Sequence, residues 1–181
     1  MNSWLNAIAY QATWIAAIGG AACGWWWVGP LAALAFAAWQ LRVSTQRRAD
    51  VLLLVISAAI GFALDSALAQ TGLVGYAASV PWPQWAPVWI VALWVSFALT
   101  LNHSLAYLKT HLQLAAILGA VGAPLAYAAA ARWGALTLPV PATAALLALA
   151  LSWAVLAPAL ALLATRLCAV TPALTLHGAR R

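Results

Sequence analysis

The sequence predicts an all-α integral membrane protein, a six-helix transmembrane bundle, and three observations predict it. Of the 181 residues, 67% are hydrophobic and 6% charged, with a mean hydropathy of +0.97, far from the balance of a water-soluble domain. The apolar residues gather in six runs, at about 4–19, 23–41, 51–69, 87–108, 112–131 and 142–167. Most approach the ~20 residues that cross a ~30 Å hydrocarbon layer at ~1.5 Å per residue. The basic residues punctuate these runs asymmetrically: Arg42, Arg47, Arg48, Lys109, Arg166, Arg180 and Arg181 fall on one side, and only Arg132 on the other. The positive-inside rule then puts both termini in the cytoplasm (N-in, C-in). Residues 1–181 make a single transmembrane domain, with no length left for a soluble catalytic one. A net charge of +6 placed at the ends of apolar runs orients helices, so nucleic acid is not an expected partner.

The first run is short. Its start, MNSWLNAIAYQATW, lacks a basic n-region and a cleavage pattern, so it is expected to stay as a helix. Asn6, Tyr10 and Trp14 share one face of it, and Gln11 adds a second amide. After a glycine-rich link at 19–24 comes the triplet Trp25, Trp26 and Trp27. With Trp82, Trp85, Trp89 and Trp133 these rings crowd one membrane interface, where indoles anchor in the headgroup layer. In the third run Ser57, Gly61 and Asp65 recur at four-residue steps, a small and polar stripe that should face the bundle. The connection at 70–86 carries no charge and is expected to lie flat in the interface, because re-entry demands that its backbone be buried against protein.

The fourth run reads as one helix to residue 108, with Trp94, Ala98 and Asn102 on one face and the cluster Asn102, His103 and Ser104 near its end. Val28-Gly-Pro-Leu-Ala in the second run echoes Val121-Gly-Ala-Pro-Leu-Ala in the fifth, so a second architecture is two inverted three-helix halves. Pro30, Pro124 and Pro158 are expected to kink their helices. Cys23 and Cys168 fall at opposite faces, cannot pair within one chain, and read as small apolar packers.

Asp65 is the one acid inside an apolar run, and a carboxylate at that depth costs several kcal/mol unless it is protonated, paired or hydrated. It heads a set of residues, Asn6, Gln11, Trp14, Asp65, Trp94, Asn102 and Tyr127, expected to form an interior polar seam that either glues helices or lines a ligand cavity. His103, Lys109 and His111 lie near the cytoplasmic surface and suit contact with a phosphate headgroup. Histidines without carboxylates or thiolates nearby make a poor metal site, and no metal or cofactor is expected. Catalytic signatures are missing: there is no Glu, no GxSxG elbow, no HExxH and no Gly-rich phosphate loop. Asp65 and His103 should differ in depth by ~10 Å or more, too far for an acid–base pair. The leading expectation is therefore a non-enzymatic protein that binds or moves a lipid or other hydrophobic molecule. The alternative is a proton-coupled transporter with inverted halves and a water-accessible Asp65. A lipid enzyme working through Asp65 comes third, and a purely structural subunit is the remaining reading.

Taken together, Asn6…Gln11…Trp14, Asp65 seven residues before Gly72, Leu93-Trp94…Phe97, Leu101-Asn102-His-Ser-Leu105 and Gly122-Ala-Pro-Leu-Ala-Tyr127 resemble an uncharacterised bacterial inner-membrane family, domain of unknown function 2878. The resemblance runs from Asn6 to about Pro158. It implies a small multi-pass protein with no assigned activity, in gene neighbourhoods for membrane-lipid modification such as cyclopropane-type methyl transfer. The partners it implies are a membrane lipid and a lipid-modifying membrane enzyme, and an oligomer is compatible with it. The chain departs from the family pattern after Tyr127, where alanines fill positions 128–131 and a glycine is expected.

Overall fold

A computed structural model describes residues 3–139 and 141–170. Among them six α-helices form: α1 (Ser3–Ala22), α2 (Val28–Val43), α3 (Arg47–Gln70), α4 (Val88–Leu101), α5 (Leu112–Arg132) and α6 (Thr143–Val170). A 3₁₀ turn at Ala106–Lys109 and two-residue strands β1 (Gly75–Tyr76) and β2 (Leu136–Thr137) complete the order. By length and composition, α3, α5 and α6 can cross a membrane, while α2 and α4 are shorter apolar helices. The bundle is apolar outward: Leu34, Leu151 and Val155 are 67%, 70% and 67% exposed. Its interior mixes small residues and hydroxyls with large apolar side chains such as Trp89, Leu53, Leu99 and Leu160, and it holds Asn6, Gln40, Asp50 and Asp65 fully or almost fully buried. Exposed aliphatic side chains around a core that contains small residues suit a bundle solvated by lipid. Arg180 and Arg181, which the charge asymmetry uses, lie outside the described residues.

The helix ends at one pole share a construction. Gly24, Gly72 and Gly134 follow α1, α3 and α5 with φ of 78°, 70° and 83°. The amide after each glycine returns to a carbonyl of the last turn, as Leu73 does to Leu68 (3.0 Å) and Ala135 to Ala130 (3.0 Å). This left-handed cap satisfies carbonyls that water would otherwise serve, and glycine adopts it without a Cβ penalty.

At the opposite pole the single helix expected over 87–108 stops at Leu101. Asn102, His103 and Ser104 spend their side chains on other helices, and such polar bonds compete with helix continuation. His103 and Leu105 amides turn back to the Thr100 carbonyl, 2.9 Å each, and the 3₁₀ turn follows.

α4 lies at the centre, packed against α1, α2, α3 and α6, while α5 pairs along α6. Glycines set the closest approaches: a Cβ at Gly61 would overlap the Trp94 indole, so α3 and α4 meet there, and Gly119 admits the α6 backbone at Trp153. The extensive α5–α6 pairing has no counterpart in α2–α3, and α4 barely touches α5 where α1 pairs closely with α2. The helix contacts are thus not those of two equivalent halves, and the Val-Gly-Pro echo is not reflected in packing. Pro30 falls in the first turn of α2, where its missing N–H costs nothing, whereas Pro124 and Pro158 lie inside α5 and α6.

The 70–86 connection is largely exposed or half-buried but is tied to the bundle and to the 135–137 link at several points. β1 pairs antiparallel with β2 in the register Gly75↔Thr137 and Tyr76↔Leu136, and the Ala77 amide donates to the Ala135 carbonyl at 2.9 Å. Val74 and Ala86 are buried, the Ala86 amide donates to Ser66 Oγ at 3.0 Å, and Val80–Pro81 is a cis peptide. Trp89 is a further correction, because its indole is fully buried and donates to the Ala77 carbonyl (2.9 Å) rather than facing an interface. Trp25, Trp26, Trp27, Trp82, Trp85 and Trp133 do remain exposed at that pole. The cysteines are free, but neither is an apolar packer. Cys23 is exposed, and the Cys168 thiol donates to Gln46 Oε1 at 2.7 Å.

Candidate functional site: an apolar cavity beside a buried carboxylate

Asp65 sits in α3, on the buried stripe with Ser57 and Gly61. It has no exposure, and its two oxygens accept three hydrogen bonds from neutral donors in three other segments. Oδ1 accepts from the hydroxyls of Tyr76 (2.5 Å) and Tyr127, and Oδ2 accepts from Trp94 Nε1 at 2.6 Å. Burial, reinforced by Tyr127 and Asp65 beside it, pushes the Tyr76 phenol far above its ordinary value, so it stays an O–H donor. Ser57 Oγ donates to the Trp94 carbonyl at 3.2 Å and fixes the same stretch of α4. One carboxylate therefore stitches α3 to α4, to α5 and to the folded-back connection.

Two of those donors, Trp94 and Tyr127, also line a partly open cavity of about 270 Å³ between α1, α4, α5 and α6. Its other walls are mainly apolar, including Trp14, Phe97, Trp153 and Ala123, and no charged side chain lines it. Gly122 lines it with open space where a Cβ would stand, and Leu118 and Gly122, both exposed, open it toward the outer surface of α5. Trp153 stacks on Trp94 with ring centroids 4.5 Å apart and meets Phe97 edge-on at 5.3 Å. The Trp153 Nε1–H is buried and has no hydrogen-bond partner among the described residues.

A second polar cluster occupies the other pole. Asp50 is 1% exposed and accepts from Ser44 Oγ (2.5 Å) and Asn102 Nδ2 (2.9 Å), with His103 Nε2 at 3.1 Å. Lys109 Nζ donates to Asn102 Oδ1 at 3.0 Å, and the Cys168 thiol reaches the same oxygen at 3.3 Å. Beside it Asn6 donates to Gln40 Oε1 (2.7 Å) and to the Leu99 carbonyl (3.1 Å), and accepts from Ser104 Oγ at 2.5 Å. Asp50 and Asp65 are fifteen positions apart on α3, ~22 Å along its axis.

The expected polar seam therefore divides. Asp65, Trp94 and Tyr127 come together at the cavity, where Trp14 also stands. Asn6 and Asn102 belong to the opposite pole. Gln11 joins neither, because on α1 it lies ~140° around the helix from Asn6 and is exposed. The absence of a carboxylate near the histidines is overturned as well, since His103 pairs with Asp50. Lys109 and His103 are engaged within the protein. His111 is exposed, with Nδ1 2.9 Å from the Tyr107 carbonyl. Among the described residues no group of three or more His, Cys, Asp or Glu could hold a metal.

Fold and site together define a helical protein of membrane character, built around one buried carboxylate and an adjoining apolar cavity. The chain belongs to the family described as protein of unknown function (DUF2878), whose model matches residues 3–159 and so covers nearly all of it. Neither the curated proteins nor the solved structures contain a match.

Proposed function

We propose that this chain is a multi-pass membrane protein that takes a hydrophobic small molecule from the lipid phase into the cavity between α1, α4, α5 and α6. In this reading all six helices lie in the membrane, with the Asp50 pole and both termini on the cytoplasmic side. The observation that carries it is the wall itself: the Trp94 and Tyr127 side chains that face the cavity are held by the same Asp65 carboxylate. A binding site with fixed aromatic walls loses little side-chain freedom on filling, which favours binding over mere space. Asp65 is then a positioning residue, held by three donors and closed to water. That burial supports binding over proton-coupled transport, which needs water at the carboxylate. A partnership with a lipid-modifying enzyme fits a protein that holds a membrane-soluble molecule.

Native mass spectrometry of protein extracted in mild detergent tests the reading, with the co-purifying small molecule identified after extraction. Wild type should retain a defined hydrophobic molecule. Gly122→Leu, which adds a side chain at the cavity mouth without a backbone clash, should lose it. Equal retention by both would remove the cavity as the site.

A further inference from the structure

Resting on that reading, which sets α5 across the bilayer, the shape of the cavity limits what can occupy it. We infer that the occupant is a single hydrocarbon chain, held lengthwise along the bundle and reached from the middle of the bilayer, so that the tail of a lipid is bound and its head is left outside.

The first ground is length. On α5 the lining includes Ala115, Gly119, Ala123 and Tyr127, which recur at four-residue steps and so follow one another along the helix over ~18 Å. The opposite side runs from Ile90 and Phe97 on α4 to Leu108 in the 3₁₀ turn. One leaflet of a ~30 Å hydrocarbon layer gives its chains about that depth, ~15 Å. An apolar cavity of ~150 Å³ takes one benzene ring, so about 270 Å³ drawn out over this length is too slender for two chains side by side.

The second ground is the position of the mouth. α4 packs against α1 and α6, and α6 against α5, whereas α1 and α5 do not pair closely. Leu118 and Gly122, the exposed members of the α5 lining, stand at that gap. Gly122 is the middle residue of the 21 in α5, and Leu118 lies one turn nearer its start, so the gap opens at the depth of the bilayer centre. The two ends of the cavity are lined by buried residues instead, Leu108 and Ala115 at one and Ile90 and Tyr127 at the other. The third ground is chemistry. A charged head is costly at the bilayer centre, and no charged side chain among the described residues lines the cavity to offset it. The polar ends of Trp94 and Tyr127 are committed to Asp65. A methylene chain gives up no hydrogen bond on leaving the lipid and gains close contacts with the rings and small residues of the wall.

Photolabelling of the full chain in phosphatidylcholine nanodiscs tests this. Two phosphatidylcholine probes carry one diazirine each, at the methyl end of an acyl chain or on the head. Illumination followed by peptide mass spectrometry should find the chain-end label on the buried lining residues Gly119 and Ala123 at least about tenfold more often than the head label, given the cost of a head at that depth. Straight acyl chains and isoprenoid chains share this chemistry, so hexadecanol and phytol are added as competitors, and the one that displaces more label names the source. No chain-end label on those residues, a head label found there as often, or a chain-end label that neither competitor lowers would each overturn the inference. Failure of the cavity reading looks different. If only the chain inference is wrong, wild type still retains a co-purifying molecule that Gly122→Leu loses, whereas if the cavity is not a site the two retain it equally and neither probe labels the lining.

Discussion

The two acids of this chain lie on one helix and are buried alike, yet they are satisfied in opposite ways. Asp65 takes three neutral donors from α4, α5 and the folded-back connection, and two of those donors face a cavity. Asp50 takes Ser44, Asn102 and His103, with Lys109 one bond further out, and faces no described cavity. At the Asp65 end Trp94 and Tyr127 are buried and Tyr76 alone is partly exposed. At the Asp50 end a histidine at 10% side-chain exposure and a half-buried lysine share the load. Asp65, held by neutral donors, shapes a cavity wall, whereas Asp50, held by a histidine, an amide and a hydroxyl, ties helix ends together.

Removing each acid sharpens that difference. Asp65→Ala strands two hydroxyls and an indole in the interior, at about 1–3 kcal/mol for each donor, so unfolding in mixed micelles should show the largest loss of any single substitution here. Asp50→Ala should cost less, on the order of 1–3 kcal/mol, because His103, Ser44 and Asn102 are partly exposed and reach solvent. A greater loss at Asp50 would reverse the ranking. Gly61→Ala drives a methyl into the Trp94 indole and should destabilise by about 1–3 kcal/mol, with a change in the near-ultraviolet circular dichroism of tryptophan. Tyr127→Phe removes one of the three donors and should cost about 1 kcal/mol in the same unfolding assay, while Gly122→Leu should stay within about 0.5 kcal/mol of wild type.

Much of the architecture is legible in the sequence because long apolar runs have few ways to satisfy their backbones other than as helices. Six apolar runs become six helices, and the Ser57–Gly61–Asp65 spacing points inward as its periodicity requires. The membership of the family was readable too, from the residues around Asp65, Trp94, Asn102 and Tyr127. The partners of the acids were not. Asp50 follows Arg47 and Arg48 and reads as a solvated helix start, and nothing local tells that Asn102 and His103 arrive beside it from fifty residues away. Tyr76 lies in a connection without periodicity, and its bond to Asp65 exists because two strands of two residues fold that connection back. Trp153 looks like any ring in an aliphatic helix, and its orphaned N–H is visible only once α4, α5 and α6 are assembled. Gln11 misled for the opposite reason: an amide in an apolar run reads as interior, but its angular position turns it outward.

The division of labour between the acids is tested most directly by comparing ligand retention in Asp65→Asn and Asp50→Asn, each purified as a monodisperse species and examined by native mass spectrometry. The asparagine at 65 faces Trp94 or the tyrosines with a donor where an acceptor stood, so the cavity wall should loosen and the bound molecule should be lost. The asparagine at 50 lies ~22 Å away along α3, and retention there should equal that of wild type. Loss in both variants, or in Asp50→Asn alone, would contradict the assignment of the binding wall to Asp65.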